Sequence, residues 1–212
     1  MCSAFPTPLY SHVGRGDFRD VYEPAQDSFL LIDALEKDAE RLPCVCLEVG
    51  SGSGVVSAFL ASVVGPSAVY ICTDVNPAAA GCTATTASCN SVSLQPVLTD
   101  LVRVHTHTHT HTGKSDADLL VFRQRVSSMQ SRGIEASWAG GERGREVTDR
   151  FLPAAAQLLS QRGLFYLVTI AENHPEEIVE LLGQRGLEGE LCSSTRAGNE
   201  RLSVLRFSRR QT

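Results

Sequence analysis

The sequence predicts an α/β fold in which a mainly parallel sheet is covered by helices on both faces. Short apolar runs, typical of buried strands, alternate along the chain with longer segments whose apolar residues recur at helical spacing. A glycine-rich stretch, Glu48 to Gly54, joins the first strand directly to a helix. The last two strand patterns are separated by only a short turn, which predicts an antiparallel hairpin at the end of the sheet.

The first half of the sequence predicts three helices and four strands. Pro43 ends the first helix, and Gly65-Pro66 ends the second, because proline cannot continue a helix and glycine weakens one. Apolar strands then follow in alternation with helices, the third of which is rich in alanine. The predicted helices cover 28–40, 54–64 and 77–89, and the strands cover 45–49, 68–73, 92–98 and 117–122.

The second half adds two helices, at 151–159 and 175–184, and three strands, at 163–170, 187–193 and 202–207. The turn-forming stretch Arg196 to Asn199 lies between the last two strands, so they should pair as the hairpin. The predicted sheet therefore has seven strands. In such sheets ligands bind beyond the carboxyl ends of the strands, where the strand order reverses.

The composition is that of one globular domain spanning residues 1–212, with 42% hydrophobic and 20% charged residues. No apolar run reaches the roughly 18 residues needed to cross a bilayer, and the first ten residues lack a signal-peptide pattern. We therefore expect an intracellular protein, in the cytoplasm or the nucleus. The net charge of −5 argues against a domain that grips a nucleic-acid backbone unaided.

Seven cysteines occur, and none forms a CxxC pair with zinc-ligand spacing. We expect most of them to be reduced thiols. Cys44, Cys46 and Cys72 lie in apolar stretches, where free cysteine packs as a small hydrophobic residue. The sequence therefore predicts no metal site.

The glycine-rich stretch places Gly50, Gly52 and Gly54 where backbone must approach a ligand without side chains in the way. The dinucleotide fingerprint would need a third glycine where the chain has Val55, and a phosphate loop would need a lysine that is missing. An acidic residue, Glu48, precedes the glycines instead. This pattern suits a ligand with a cationic amino-acid end better than it suits a pyrophosphate.

Two further carboxylates follow the next two strands. Asp74 ends the second strand, about 20 residues beyond the glycines, where a carboxylate can accept both hydroxyls of a ribose. Asp100 follows the third strand, where it can accept a hydrogen bond from an exocyclic adenine amine while Leu101 packs on the ring. Together with Glu48 they predict a site for S-adenosylmethionine, an adenosyl ligand with an amino-acid tail and no phosphate.

Three segments of the sequence resemble the HemK-type N-methyltransferases, in particular the eukaryotic member of that family. They are Thr7 to Asp38, with HVGRGDFRDVYEPAQDSFLLIDAL; Cys46 to Asp74, with CLEVGSGSGVVSAFLAS; and Gly133 to Phe207, with GIEASWAGGERGREVTDRF and RGLFYLVTI. The resemblance implies a class I methyltransferase fold and S-adenosylmethionine as cofactor. It also implies cofactor contacts for Glu48, Gly50, Asp74, Asp100 and Leu101, and it places Ser28 near the cofactor carboxylate.

The resemblance further implies a substrate and a partner. The eukaryotic family member methylates a glutamine of the translation release factor and is also linked to methylation of histone lysine and DNA adenine. It forms a heterodimer with a small zinc-binding activator protein, which extends the sheet and covers apolar surface. A chain of this kind should be poorly soluble when it is expressed alone.

The catalytic motif of the family is absent from this chain. The family carries Asn-Pro-Pro-Tyr just after the fourth strand, where it holds the substrate nitrogen toward the methyl group. Here Arg123, Gln124, Arg125 and Val126 occupy that position, and Asn-Pro-Pro-Tyr occurs nowhere else. Because loss of a positioning group costs at least ~10²-fold in rate, we expect feeble or absent turnover.

A low-complexity His-Thr tract, 105–112, interrupts the link between Asp100 and the fourth strand. Alternation puts its four imidazoles on one side of an extended segment, so adventitious nickel, copper or zinc could bind there. The tract has the form of a translated CA repeat inserted into a loop. Together with the lost motif, it indicates an alternatively spliced form or a faulty gene model.

Three functions remain open at this stage. The first is transfer of a methyl group to a protein side-chain nitrogen, with release-factor glutamine as the first substrate candidate and histone lysine as the second. The second is a catalytically inactive module that still binds S-adenosylmethionine. Adenine methylation on DNA fits least well, because the chain is acidic.

Overall fold

The computed structural model describes residues 5–39, 45–101, 117–122 and 145–210. Its helices are α1 (Gln26–Lys37), α2 (Val55–Val64), α3 (Pro77–Cys89), α4 (Glu146–Leu158) and α5 (Pro175–Gly183). Its strands are β1 (Val45–Val49), β2 (Val69–Asp74), β3 (Gln95–Leu98), β4 (Ala117–Phe122), β5 (Leu159–Ile170), β6 (Leu187–Ala197) and β7 (Glu200–Arg209). None of the helices in these ranges is long and apolar enough to span a membrane.

The seven strands form one sheet in the order β3-β2-β1-β4-β5-β7-β6. β1 pairs in parallel with both β2 and β4, so the strand order reverses at β1. β7 pairs antiparallel with β5 and with β6, which confirms the predicted hairpin. The predicted fold, a mainly parallel seven-stranded sheet ending in an antiparallel hairpin, is therefore confirmed. The reversal at β1 predicts a ligand site beyond its carboxyl end.

Helices cover the two faces of the sheet and enclose two apolar clusters. One cluster packs α1 and α2 against the first face, with Leu31, Phe59 and Leu119 among its fully buried members. The other packs α4 and α5 against the opposite face. In that cluster the ring of Phe122, the last residue of β4, stacks on Phe151 of α4 with their centroids 4.6 Å apart. This stack fixes α4 beside the carboxyl end of β4.

The bounds of β1, α3 and β4 match the sequence prediction, and several others differ. α1 spans 26–37 rather than 28–40. α4 begins at Glu146 rather than at 151, because its first turn is mainly polar and lacks a clear apolar repeat. β3 begins at Gln95 rather than at 92, because the Val92 N–H bonds the carbonyl of Ala87 at the end of α3 instead of a neighbouring strand.

The hairpin is also longer than predicted. β6 continues to Ala197 and β7 begins at Glu200, so only Gly198 and Asn199 lie between the two strands. Gly198 has a φ of 61°, a left-handed conformation that glycine adopts without a steric penalty. β5 likewise begins at Leu159 rather than at 163, because Leu159 pairs with Ala117 at the start of β4.

A buried polar network ties the hairpin to the end of α1. Asp38, just beyond α1, accepts a hydrogen bond of 2.5 Å from the Tyr166 hydroxyl and pairs with the guanidinium of Arg206 in β7. Arg206 also pairs with Glu190 of β6. Burial and the neighbouring Asp38 raise the pKa of Tyr166 far above its usual value, so this hydroxyl donates rather than ionises.

The described cysteines of the apolar strands are buried and form no disulfide with another described residue. Cys46 and Cys72 are 3% and 1% exposed, which confirms the prediction that they pack as small hydrophobic residues. Burial raises the pKa of Cys72 far above its usual value and that of Cys82 to about 11, so both stay protonated at neutral pH. Cys44 lies outside the described residues.

Candidate cofactor site

The glycine-rich loop leaves the carboxyl end of β1 and leads into α2, at the point where the strand order reverses. Gly50, Gly52 and Gly54 all have positive φ, at 77°, 53° and 74°. Only glycine adopts this conformation without strain, so the spacing of the three residues sets the path of the loop. The N–H groups of Gly50 and Ser51 both donate to the Thr73 carbonyl of β2, at 2.8 and 3.0 Å.

Asp74 closes this loop from the end of β2. Its Oδ2 accepts a hydrogen bond of 2.8 Å from the Gly52 N–H, and its Oδ1 accepts one of 2.9 Å from the Asn76 N–H. The residue is 8% exposed. The carboxylate is therefore oriented by backbone donors, and its remaining lone pairs lie beside the loop.

Glu48 lies under the loop in β1 and is 1% exposed. Its Oε2 accepts hydrogen bonds from both the backbone N–H and the hydroxyl of Ser57 in the first turn of α2. A carboxylate at a helix N-terminus is stabilised by the unpaired N–H groups and the helix dipole. Glu48 thus fixes α2 against β1, and its direct contact with a ligand stays a prediction.

Helix α3 supports the loop from the other side. The hydroxyls of Thr83 and Thr86, one helical turn apart, donate to the carbonyls of Gly52 and Ser53 at 3.3 and 2.6 Å. A Cβ on Gly54 would lie 2.9 Å from the backbone Cα of Thr83. Sequence reasoning missed both threonines, although two hydroxyl residues at helical spacing in an alanine-rich helix were a usable signal.

The outer end of the site is formed by Asp100 and Leu101, just after β3. The Thr99 N–H donates to the Asp74 carbonyl at 2.9 Å, which places this turn beside the end of β2. Asp100 is 58% exposed at its side chain, and its Oδ2 lies 3.1 Å from a guanidinium nitrogen of Arg150 in α4. Sequence reasoning also missed Arg150, because nothing local in the sequence relates α4 to β3.

Ser28, predicted to lie near the cofactor carboxylate, is in the first turn of α1, and its place at the cofactor site stays a prediction. Ser28 is fully buried, and its hydroxyl lies 3.4 Å from Oδ1 of Asp27. The same Oδ1 accepts a hydrogen bond of 3.0 Å from the Tyr22 hydroxyl. Asp27 and Tyr22 also line a cavity of about 200 Å³ that reaches the carboxyl end of β5.

The structure joins the glycine loop, Glu48 and Asp74 through hydrogen bonds and backbone continuity, and it places Asp100 beside Asp74 through Thr99. Arg123 to Val126 stand where the family has Asn-Pro-Pro-Tyr, and they lie outside the described residues. The His-Thr tract 105–112 also lies outside them.

The arrangement fits S-adenosylmethionine. Three carboxylates lie at or beside the glycine loop: Glu48 in β1, Asp74, which bonds the Gly52 N–H, and Asp100 after β3. Gly54 faces Thr83 of α3, so the missing side chain makes room for that helix, and its contact with the cofactor stays a prediction. Carboxylates disfavour a phosphate and favour ribose hydroxyls, an amine and a cationic sulfonium. The same residues suit a nicotinamide dinucleotide poorly, because its pyrophosphate would face these charges.

Comparison with known proteins gives relatives along nearly the whole chain. The chain is 61% identical over 211 residues to the methyltransferase HEMK2 of Mus musculus, covering 96% of this chain and 97% of that protein. It is 32% identical over 230 residues to the eRF1 methyltransferase catalytic subunit mtq2 of Schizosaccharomyces pombe, covering 96% and 95%. No protein-family model matches the chain.

Among solved structures, the chain is similar to that of the E. cuniculi Mtq2–Trm112 complex, with a TM-score of 0.67 and 25% identity. The match covers 90% of this chain and 99% of that one. The fold is thus the class I methyltransferase fold, and S-adenosylmethionine is the cofactor. The chain belongs to the HemK family of S-adenosylmethionine-dependent protein N-methyltransferases.

Proposed function

We propose that this chain methylates the side-chain nitrogen of a glutamine in a translation release factor, at a low rate. The fission yeast relative is named for eRF1, and the E. cuniculi complex is described as responsible for methylation of that termination factor. The observation that carries the proposal is the glycine loop closed by Asp74, the arrangement at which we place the cofactor.

The cofactor supplies a methyl group on a positively charged sulfur, which a side-chain nitrogen can accept. In the proposed roles, the backbone of Gly50, Gly52 and Gly54 lies along the cofactor. Asp74 accepts the ribose hydroxyls, and Ser28 lies at the amino-acid end. Asp74 is pre-oriented by its two backbone donors, so it does not have to reorganise when the ribose arrives.

The adenine end is held by the turn after β3. Asp100 accepts a hydrogen bond from the exocyclic amine, and Leu101 packs on the ring. Leu101 is partly buried against the apolar cluster under α4, so it offers an apolar surface of fixed position. Glu48 holds the start of α2 and adds negative charge under the cationic end of the cofactor.

The low rate follows from the absence of the Asn-Pro-Pro-Tyr motif, which acts in the family as a clamp on the substrate nitrogen. Asn-Pro-Pro-Tyr holds the substrate nitrogen in the family, and Arg123, Gln124, Arg125 and Val126 offer neither the Asn amide nor the aromatic ring. This observation favours a second candidate function, a module that binds the cofactor without transferring a methyl group. Histone lysine is a second substrate candidate. DNA adenine fits least, because a net charge of −5 repels phosphates.

Two assays test the proposed function. Isothermal titration with S-adenosylmethionine should show binding, and Asp74→Ala should remove it. The control Asp33→Ala, which changes an exposed residue of α1, should leave the binding intact. A labelled-methyl assay should show slow transfer to a release-factor fragment and none to the same fragment with its glutamine replaced by alanine. Binding without any transfer would establish the inactive module. Transfer to a histone lysine peptide alone would overturn the substrate, and absence of binding would overturn the whole proposal.

We propose further that a small zinc-binding activator subunit pairs with β3 and extends the sheet. β3 is an edge strand, and its neighbouring side chains Val97 and Leu98 are 42% and 57% exposed. Successive side chains of a strand point to opposite faces, so both faces of this edge expose apolar surface. The E. cuniculi relative is solved as a complex with Trm112, which supports a subunit of this kind.

Leu98→Asp should prevent co-purification with that subunit, because a charge would be buried in the new interface. The matched control is Leu191→Asp, which changes an equally exposed leucine on β6 at the other edge of the sheet. Co-expression followed by affinity capture and gel filtration measures how much subunit co-purifies with each variant. The chain expressed without the subunit should be poorly soluble. Equal capture of the Leu98 variant and the unmodified chain would contradict pairing at β3.

A further inference from the structure

The turn that follows β3 is held in an unusual backbone conformation. Leu101 has a φ of 55°, which is rare for a residue with a branched side chain. The Thr99 hydroxyl donates to the Leu101 carbonyl at 3.1 Å, and the Thr99 N–H donates to the Asp74 carbonyl. These bonds hold the backbone of the turn, but neither of them orients the Asp100 carboxylate.

Arg150 of α4 contacts the Asp100 carboxylate. Its Nη2 lies 3.1 Å from Oδ2 of Asp100, across 50 positions of sequence. The contact uses one carboxylate oxygen, and within residues 5–39, 45–101, 117–122 and 145–210 no hydrogen bond to Oδ1 competes with an incoming donor. Both side chains are 58% exposed, which means that the pair spans the surface of the site rather than its floor.

Helix α4 gives Arg150 a fixed base. The next residue, Phe151, is buried and stacks on Phe122 at the end of β4. Leu101 packs against the same apolar cluster as Phe151. The guanidinium therefore extends from a packed helix toward a turn whose Leu101 side chain is held by the same apolar cluster.

We propose that Arg150 is a positioning residue for the cofactor: it holds Oδ2 of Asp100 so that Oδ1 points at the exocyclic amine of adenine. The inference rests on the proposed role of Asp100 as the acceptor of that amine. Arg150 itself makes no cofactor contact in this role.

The size of the effect follows from the exposure of the pair. An exposed ion pair contributes little to stability, so loss of Arg150 should leave the fold intact. Once adenine covers the carboxylate and excludes water, the same pair acts at a lower effective dielectric and orients a charged acceptor more strongly. We therefore expect loss of Arg150 to lower the preference for a ligand with the exocyclic amine several-fold. This effect should become smaller at high salt, which screens the ion pair.

The test compares two ligands on the full chain by isothermal titration: S-adenosylhomocysteine, and S-inosylhomocysteine, in which an oxygen replaces the exocyclic amine. The unmodified chain should prefer the adenosyl ligand by about tenfold or more, the range for a hydrogen bond to a charged group. Arg150→Ala should reduce that preference by about threefold or more, and Arg150→Lys should restore part of it. Arg185→Ala, which removes an exposed guanidinium in the turn after α5, should leave the preference unchanged.

Asp100→Ala should abolish the preference and also make it insensitive to Arg150→Ala, because the arginine acts through the carboxylate. A full preference in Arg150→Ala would overturn the role of Arg150 while the role of Asp100 stands. No preference in the unmodified chain would overturn both roles, and no binding of either ligand would overturn the proposed cofactor site itself. A merely structural role would lower the affinity for both ligands equally, which also contradicts the proposal.

Discussion

Replacing Arg123, Gln124, Arg125 and Val126 by Asn, Pro, Pro and Tyr is expected to raise the rate of methyl transfer by at least ~10²-fold. The Asn amide and the following Pro carbonyl would hold the substrate nitrogen with its lone pair toward the methyl group. Positioning of this kind accelerates a reaction without supplying a base. The measurement is kcat/KM for labelled-methyl transfer to the release-factor fragment.

The control for this change is Arg123→Ala, which removes one positive charge from the sequence that replaces the motif without adding Asn-Pro-Pro-Tyr. It should leave the rate within a fewfold of the unmodified chain. A large rise from Arg123→Ala alone would show that repulsion by the arginine, rather than the lost clamp, limits the reaction. Tight cofactor binding with no transfer from the restored loop would contradict the explanation altogether.

Gly54→Ala is expected to lower the free energy of unfolding by about 2–5 kcal/mol and the affinity for S-adenosylmethionine by at least about tenfold. A left-handed φ costs an L-residue roughly 1–2 kcal/mol, and overpacking adds about 1–3 kcal/mol. The new Cβ would lie 2.9 Å from the Thr83 backbone, so the loop must move away from α3. Thermal unfolding should show a Tm lower by about 5–15 °C.

The matched control is Gly186→Ala. Gly186 has a φ of 83°, and no atom lies within 4 Å of where its Cβ would stand. It therefore carries the conformational strain without the overlap, so its Tm should fall by less and its cofactor affinity should not change. Equal losses of affinity in the two variants would show that strain alone, rather than the contact between the loop and α3, sets the geometry of the site.

The sequence predicted the order of the elements because each one carries its own local signal. β1 and β4 were found with their bounds, since both are short apolar runs buried on both faces of the sheet. α3 was also found, since Pro77 begins it after the cap Asn76. The start of α4 was missed because its first turn is held by Arg145, which pairs with Glu177 of another helix.

The residues of the candidate site that lie at the carboxyl ends of strands were predictable from the sequence. Asp74 and the glycines were found because position in a parallel sheet and freedom of φ determine their roles. Thr83 and Arg150 were not found, because their roles depend on which distant backbone or carboxylate they reach. The partner of a hydroxyl or a guanidinium on a helix surface cannot be predicted from the local sequence.

The sequence by itself determined the alternation of strands and helices, the left-handed path of the glycine loop and the absence of the Asn-Pro-Pro-Tyr motif. These are local properties, which depend on side-chain periodicity and on the lack of a Cβ. Only the tertiary structure decided that Asp74 bonds Gly52, that Glu48 holds α2 and that Arg150 reaches Asp100. Those contacts join residues 9 to 50 positions apart, because the strand order 3-2-1-4-5-7-6 brings distant segments side by side at one edge of the sheet.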